Sequence, residues 1–383
     1  MDLDWSEEQE LLRETVRRVC AEHAPISLVR ATEDDPVGVP AGFWKQLGEL
    51  GVLGVLIPEA FGGAGQSLLE AAIVYEEFGR SLAPSPHFAS CVMGAGVLLA
   101  AGSEAQRAEW LPRIASGEAI LAPAWLEPDG GFGPRGVRLE AGRDGDAFVL
   151  TGPKRHVPCA SAATRLLVLA RSGPGDAEID LFLLDPHAPG IHLQQQRSLA
   201  GDTQHRVTLE GVRVPASARV GAAGSGWATW DRVLHDGIVL LAAQAMGGAE
   251  RALEITVEYA RERKQFGKPI GAFQAIAHYL ADAATAVDGG RTLVYEAAWA
   301  RATGRPIARL APMAKLFACQ TYRDVTAVCQ QVWGGVGFTI EYDIQLYFRR
   351  AKQLQITWWD TRHLEELVAT DVLDGDAPFR AGP

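Results

Sequence analysis

The stretch Arg261-Glu-Arg-Lys-Gln-Phe-Gly-Lys-Pro-Ile-Gly-Ala-Phe-Gln274 concentrates a charge that the rest of the chain lacks. Residues 261–268 hold four basic residues and one acidic one, while the whole chain sets Lys+Arg 36 against Asp+Glu 47, a net charge of −11. Helical periodicity runs into this stretch, so the cations fall at a helix C-terminal end, where the macrodipole favours them. Gly267 then supplies a stop, and Pro269 prevents continuation. Arginine pairs phosphate oxygens in a planar fork, so a cationic corner with an aromatic beside it suits a phosphate-bearing cofactor. On the residues alone, a solvated helix end is the plainer reading.

The elements around that corner are legible in outline. Ser6-Glu-Glu-Gln9 is a capping box that opens a helix, with Leu12, Val16 and Val19 at helical spacing behind it. Helical patterns continue at 43–50, 68–80, 86–101 and 104–115, broken by Gly/Pro-rich loops such as 58–65. From about 121 the period changes. Val137-Arg-Leu-Glu140 and Ala147-Phe-Val-Leu150 flank Asp144-Gly145-Asp146, a hairpin signal. Leu166–Ala170, Ile179–Leu184 and Val207–Val214 add short strands. Long helical patterns return at 226–264, 271–303, 307–332 and 341–371, and Asp374–Pro383 reads as a loose tail.

Bulk properties narrow the function classes. A length of 383 suits two or three domains, and 48% hydrophobic residues suffice for a sizeable core. The acidic balance offers no footprint for nucleic acid. Cys20, Cys91, Cys159, Cys319 and Cys329 form no Cys-x-x-Cys pair, so buried free thiols are expected and a metal site is not. The acidic start Met1-Asp-Leu-Asp-Trp-Ser does not read as a signal peptide, and no stretch reaches 18 uninterrupted apolar residues. The expectation is a cytoplasmic protein without membrane insertion.

The phrase Tyr259-Ala-Arg-Glu-Arg-Lys-Gln-Phe-Gly-Lys-Pro-Ile270 resembles the signature of the acyl-CoA dehydrogenase family. Gln330-Gln-Val-Trp-Gly-Gly-Val-Gly-Phe338 and Arg349-Arg-Ala-Lys352 follow at the family's spacing. Pro58-Glu-Ala-Phe-Gly-Gly-Ala-Gly65 and Gly224-Ser-Gly-Trp227 resemble it too, so the matches run over nearly the whole chain. The resemblance implies an α+β fold with an N-terminal helical domain over 1–120, a central β-barrel-like domain over 121–225 and a C-terminal helical bundle over 226–383. It implies FAD between the β segment and the C-terminal helices, an acyl-CoA substrate, electron-transfer flavoprotein as acceptor, and a dimer or tetramer of like or unlike chains. A glutamate of the family removes the α-proton of the thioester while hydride leaves the β-carbon for the flavin.

Both places for that glutamate depart here. Family spacing from Ala351-Lys352 puts the first on Trp358, and spacing back from Gly247 puts the second on Gly237. Neither side chain can take a proton. Asp236 stands one residue early and Asp360 two residues late, leaving them as the candidate carboxylates, each with a solvated or capping role as its plainer reading. One residue on a helix rotates a side chain by roughly 100°, which turns Asp236 away from the place of the base.

The flavin face departs as well. Trp125-Leu-Glu-Pro128 puts Leu126 where the family has a threonine, so only backbone contacts to the ring could survive there. Lys154-Arg-His-Val-Pro158 puts His156 at a tryptophan position and Pro158, which has no N–H, at a second threonine. A lone histidine of this kind is more often a satisfied surface or core residue than a catalytic acid.

The losses have a direction. The residues that the family donates to a neighbouring subunit's FAD persist as Arg263, Gln265, Phe266, Gln274, Gln331, Gly334 and Gly335. Glycines 334, 335 and 337 also read locally as a helix break. The run Gly335-Val-Gly-Phe-Thr-Ile-Glu-Tyr-Asp-Ile-Gln-Leu-Tyr-Phe-Arg-Arg350 resembles the subset linked to steroid side-chain and other bulky acyl-CoA degradation, whose members form mixed tetramers. Three readings follow: a subunit of a heteromeric acyl-CoA dehydrogenase; a self-sufficient flavoenzyme, with a displaced base or monooxygenase chemistry; and a non-catalytic binding relative.

Overall fold

The computed structural model describes residues 4–176 and 178–374, so all of the expected tail but Asp374 lies outside the described residues. Along the chain run α1 (Glu7–His23), α2 (Ile26–Ala31), α3 (Ala41–Glu49), α4 (Leu68–Ser81), α5 (Ala95–Ala101) and α6 (Glu104–Ala115). Strands β1 (Leu121–Ala124), β2 (Glu140–Asp144), β3 (Ala147–Pro158), β4 (Arg165–Arg171), β5 (Ile179–Leu184), β6 (Ile191–Gln196), β7 (Gln204–Pro215) and β8 (Arg219–Val220) follow. Then come α7 (Gly226–Glu262), the small hairpin β9 (Lys264–Gln265) and β10 (Lys268–Pro269), α8 (Gln274–Ala302), α9 (Leu310–Trp333), α10 (Ile344–Ile356) and α11 (Thr361–Leu373). The order is helices, sheet, helices.

The described chain divides into two compact units. One gathers the chain up to Ile26, Leu68–Ala83 and the chain from Ile238 onward; the other gathers Ser27–Ser67 and Pro84–Gly237. The second unit holds one eight-stranded sheet in the order β6-β7-β3-β2-β4-β5-β8, with β1 parallel to β4. The Asp144-Gly145-Asp146 signal does close a hairpin: Asp144 pairs with Ala147, and Gly145 takes φ 63°. Strands β4 and β5 match their apolar runs because they are covered on both faces, with Leu166 to Ala170 buried along their length. Strands β1, β6 and β8 escape the sequence pattern. Leu-Ala-Pro-Ala in β1 does not alternate, the Gln-rich β6 is only half-buried, and β8 is two residues long.

The mainly helical unit is built on a close crossing of α4 and α7. A Cβ on Gly247 would lie 1.8 Å from the carbonyl oxygen of Glu76, and one on Gly79 would lie 1.9 Å from that of Gln244. Glycine on each helix therefore lets the two backbones touch. The crossing draws charge inward, where it must be paired. Glu76, 5 % exposed, accepts from Arg291 Nη2 at 2.5 Å and from Tyr295 Oη at 2.6 Å. Arg17 forks onto buried Glu77 at 2.7 and 2.9 Å, and Arg80 reaches Glu250 and, at 2.8 Å, Glu254. The capping box is present, with Gln9 N donating to Ser6 Oγ at 3.2 Å. All five cysteines are buried and free.

Two expected helices differ in the structure. The 86–101 pattern opens as a π-helical turn over Phe88–Gly94 before α5 begins. The 341–371 pattern is two helices, α10 and α11, because the backbone turns left-handed at Trp358 (φ 51°) and Trp359 (φ 75°).

The π turn is entered through His87, 1 % exposed, whose Nε2 faces the Val52 carbonyl at 3.1 Å. A carbonyl only accepts, so Nε2 carries a proton. Burial lowers this imidazole to about 4. Between pH 6.5 and 4 the unfolded chain binds a proton that the folded chain refuses, so stability falls as pH falls through that window, by up to about 3 kcal/mol. Tm measured from pH 7 to 4 should drop less steeply in His87→Gln than in wild type; parallel curves would contradict the assignment.

Candidate functional site

The cationic corner folds as a tight hairpin at the end of α7. Ile270 N donates to the Arg263 carbonyl at 2.8 Å, and Lys268 pairs with Gln265 across the turn. The turn residues Phe266 (φ 53°) and Gly267 (φ 81°) are both left-handed. Glycine takes that conformation freely, but phenylalanine is strained in it. Phe266 is nonetheless 92 % exposed, so no described residue repays the strain by burying the ring. Lys268 Nζ sits 4.3 Å from the Phe273 ring. Arg261, Arg263 and Lys264 have no carboxylate partner among the described residues, which leaves their charge available to an anion.

A second segment is brought to the same helix end. Trp333, the last residue of α9, stacks on Tyr259 with ring centroids 4.0 Å apart and planes at 11°. Its indole N–H donates to Thr256 Oγ1 at 3.0 Å. Trp333 thus pins the end of α9, with exposed Gln331 and Gly335 and half-buried Gly334, to the end of α7, with Arg263 and the hairpin. Gln274 is the exposed first residue of α8, just beyond the hairpin. Gly334 takes φ 65° with ψ −146°, and a Cβ on Gly335 would meet nothing within 4 Å. Sequence spacing singled out these glycines and glutamines but missed Trp333 and Tyr259, which hold the segments together.

The two base positions are built differently. Trp358 is half-buried on the left-handed loop between α10 and α11, and Trp359 beside it is fully buried. Lys315 on α9, 0 % exposed, holds this loop. Its Nζ donates to the carbonyls of Leu354 at 3.1 Å, Thr357 at 3.0 Å and Trp359 at 2.7 Å. Burial lowers the lysine, while Cys319 and Asp360 oppose that shift. Asp360 is the N-cap of α11, accepting from His363 N at 2.9 Å through Oδ1. At the other position, a Cβ on Gly237 would lie 3.1 Å from both Met93 Sδ and Phe88 Cζ. No glutamate fits there unless those side chains move. Asp236 is half-buried on another face of α7.

In the sheet unit, Leu126 is half-buried and its carbonyl accepts from Arg155 N at 2.9 Å. Next to it, Glu127 and Lys154 form a buried pair at 2.5 Å, and Glu127 also accepts from the Arg138 and Leu139 amides. Burial lowers the Lys154 ammonium to about 8 against the pull of Glu127. Neither Leu126 nor Pro158 offers a hydroxyl. Among the described residues, no group of three His, Cys, Asp or Glu could hold a metal ion, and no helix is long and apolar enough to cross a membrane.

Comparison with known proteins gives the family. The profile for "Acyl-CoA dehydrogenase, N-terminal domain" matches residues 6–118, and that for the C-terminal domain matches residues 224–358. "Probable acyl-CoA dehydrogenase YngJ" of Bacillus subtilis is 33% identical over 93% of this chain and 95% of its own. The chain belongs to the acyl-CoA dehydrogenase family. It is an oxidoreductase of that family's kind, and FAD is the family's cofactor. The structure of the Tcur3481-Tcur3483 steroid ACAD is 32% identical, with a TM-score of 0.86 over 97% of this chain and 99% of that one. The ChsE4-ChsE5 complex from Mycobacterium tuberculosis is 27% identical, with a TM-score of 0.89 over 99% and 100%.

The residues present fit FAD unequally. Unpaired cations, an exposed strained phenylalanine and open glycines suit its phosphate and adenine end. At the ring end, Leu126 and Pro158 supply no hydroxyl.

Lys315→Met should strip three carbonyls of one shared donor and cost several kcal/mol, since hydrogen bonds to charged groups are worth about 1.5–3 kcal/mol each and the ammonium's desolvation offsets only part of the sum. Hydrogen exchange should accelerate selectively over 354–361. Unchanged protection there would show that Lys315 does not hold the loop.

Proposed function

We propose that this chain is a subunit of a heteromeric acyl-CoA dehydrogenase acting on a bulky acyl-CoA thioester. In this reading Arg263, Gln265, Phe266, Gln274, Gln331, Gly334 and Gly335 serve FAD in a neighbouring subunit's site, and the neighbour supplies the carboxylate base. The observation that carries it is a contrast within the chain. The cationic hairpin is intact and lacks ion partners among the described residues, while Trp358 and a crowded Gly237 stand where a base is expected. Capping engages Asp360, which weighs against a base displaced by two residues. Similarity to the ChsE4-ChsE5 complex supports unlike subunits, and similarity to the Tcur3481-Tcur3483 steroid ACAD supports a bulky acyl group.

The division of labour follows from the residue types. FAD, when bound, supplies the hydride acceptor. Arg263 neutralises its pyrophosphate in a planar fork, and Phe266 gains the cover that its strained turn lacks in the isolated chain. The largely exposed first half of α8 packs against a second chain in a dimer or tetramer. Electron-transfer flavoprotein is the acceptor that family membership favours. The three-domain division at 120 and 225 and a cytoplasmic location belong to the same reading.

Purified alone, the chain should dehydrogenate acyl-CoA esters poorly, because losing a general base costs roughly 10²–10⁴-fold. In the complex with its partner, Arg263→Ala should release flavin on dilution, a loss of about 1.5–3 kcal/mol per charged hydrogen bond. Robust turnover by the lone chain that vanishes in Asp360→Asn would replace this reading with a self-sufficient enzyme.

A further inference from the structure

Outside the residues used above, one titratable side chain is held with unusual care. His156 lies on β3 where pairing with β7 slips between Lys154 and Val157. A bulge of this kind re-aims a side chain and frees backbone groups. Both freed amides find partners: Arg155 N donates to Leu126 O at 2.9 Å, and His156 N donates to Gln196 Oε1 at 2.9 Å. His156 takes φ 53°, a strained conformation for a residue with a Cβ. Its side chain is exposed.

The ring is oriented by a chain of hydrogen bonds. Nδ1 of His156 lies 2.5 Å from Gln204 Oε1, and Gln204 Nε2 donates to Asp202 Oδ2 at 3.1 Å. Asp202 also accepts from Ser198 Oγ through its other oxygen. A carboxylate only accepts, so Asp202 fixes which end of the Gln204 amide faces it. The amide oxygen is therefore the end facing His156, and Nδ1 must be the donor. In the neutral ring this puts the lone pair on Nε2, which has no partner among the described residues. Gln204 is only 8 % exposed and sits opposite Gln196 in the β6–β7 register, so the orienting amide cannot swing away freely. An imidazole oriented by a neutral amide is a known arrangement for a histidine that moves protons.

We propose that His156 is a proton-accepting site of this chain, locked by Gln204 and Asp202 as the Nδ1–H tautomer so that Nε2 receives an N–H or O–H of a small-molecule ligand. His156 is the accepting group, and Gln204 and Asp202 are positioning residues. The site lies wholly within the sheet unit and stands whether or not the heteromeric reading does.

Nitrogen-15 histidine NMR on the full chain tests it, with His156→Asn used to assign the resonance among the nine histidines. Wild type at pH 8 should show a protonated Nδ1 and a bare Nε2. Asp202→Asn frees the Gln204 amide to turn either way and should give a mixture of tautomers. Adding butyryl-CoA, whose pantetheine amides and hydroxyl are such N–H and O–H donors, should move the Nε2 resonance. A protonated Nε2 in wild type, an unmixed tautomer in a folded Asp202→Asn, or an Nε2 signal unmoved by butyryl-CoA would overturn the proposal. If Asp202→Asn fails to fold, the wild-type tautomer and the butyryl-CoA addition decide.

Discussion

One buried ammonium group fixes the backbone on which the functional account turns. Lys315 spends its three protons on the carbonyls of Leu354, Thr357 and Trp359. Those contacts end α10, hold two tryptophans in left-handed conformations and deliver Asp360 to the cap of α11. A bulky residue at positive φ survives only where its surroundings over-determine it. The loop at the first expected base position is thus a rigid, apolar corner, and the nearby carboxylate is engaged in holding a helix end.

The helical unit shows a complementary economy. Gly79 and Gly247 let α4 and α7 touch, and the buried carboxylates of α4 are matched by Arg17, Arg80 and Arg291. Charge in this interior is paired, as burial demands. Charge at the 261–268 hairpin is not, and Trp333 holds the Gln331 segment against the same helix end. Strain at Phe266, unpaired cations and open glycines coincide at one exposed edge. Such a coincidence is expected where a ligand or another chain completes the structure.

Much of this was legible in the sequence because it is written in local chemistry. The capping box at Ser6, the Asp144-Gly145-Asp146 turn and the runs of β4 and β5 depend on neighbours in sequence. The break at 357–360 was not legible. Its helical period continues on both sides, and the cause lies on α9, some forty residues earlier in the chain. The hairpin was legible as a cationic helix end, but its pinning by Trp333 depends on two helices meeting. His156 was visible as an odd residue at a familiar position. Its tautomer depends on Gln204 and Asp202, which only the sheet register brings to it.

The central claim is that this chain completes a flavin site in another subunit without using one of its own. Native mass spectrometry of the assembly purified with its partner, combined with flavin absorbance, measures that directly. The account predicts one FAD for each pair of unlike chains. One FAD per chain in a stable assembly of this chain alone would contradict it, while leaving the family membership untouched.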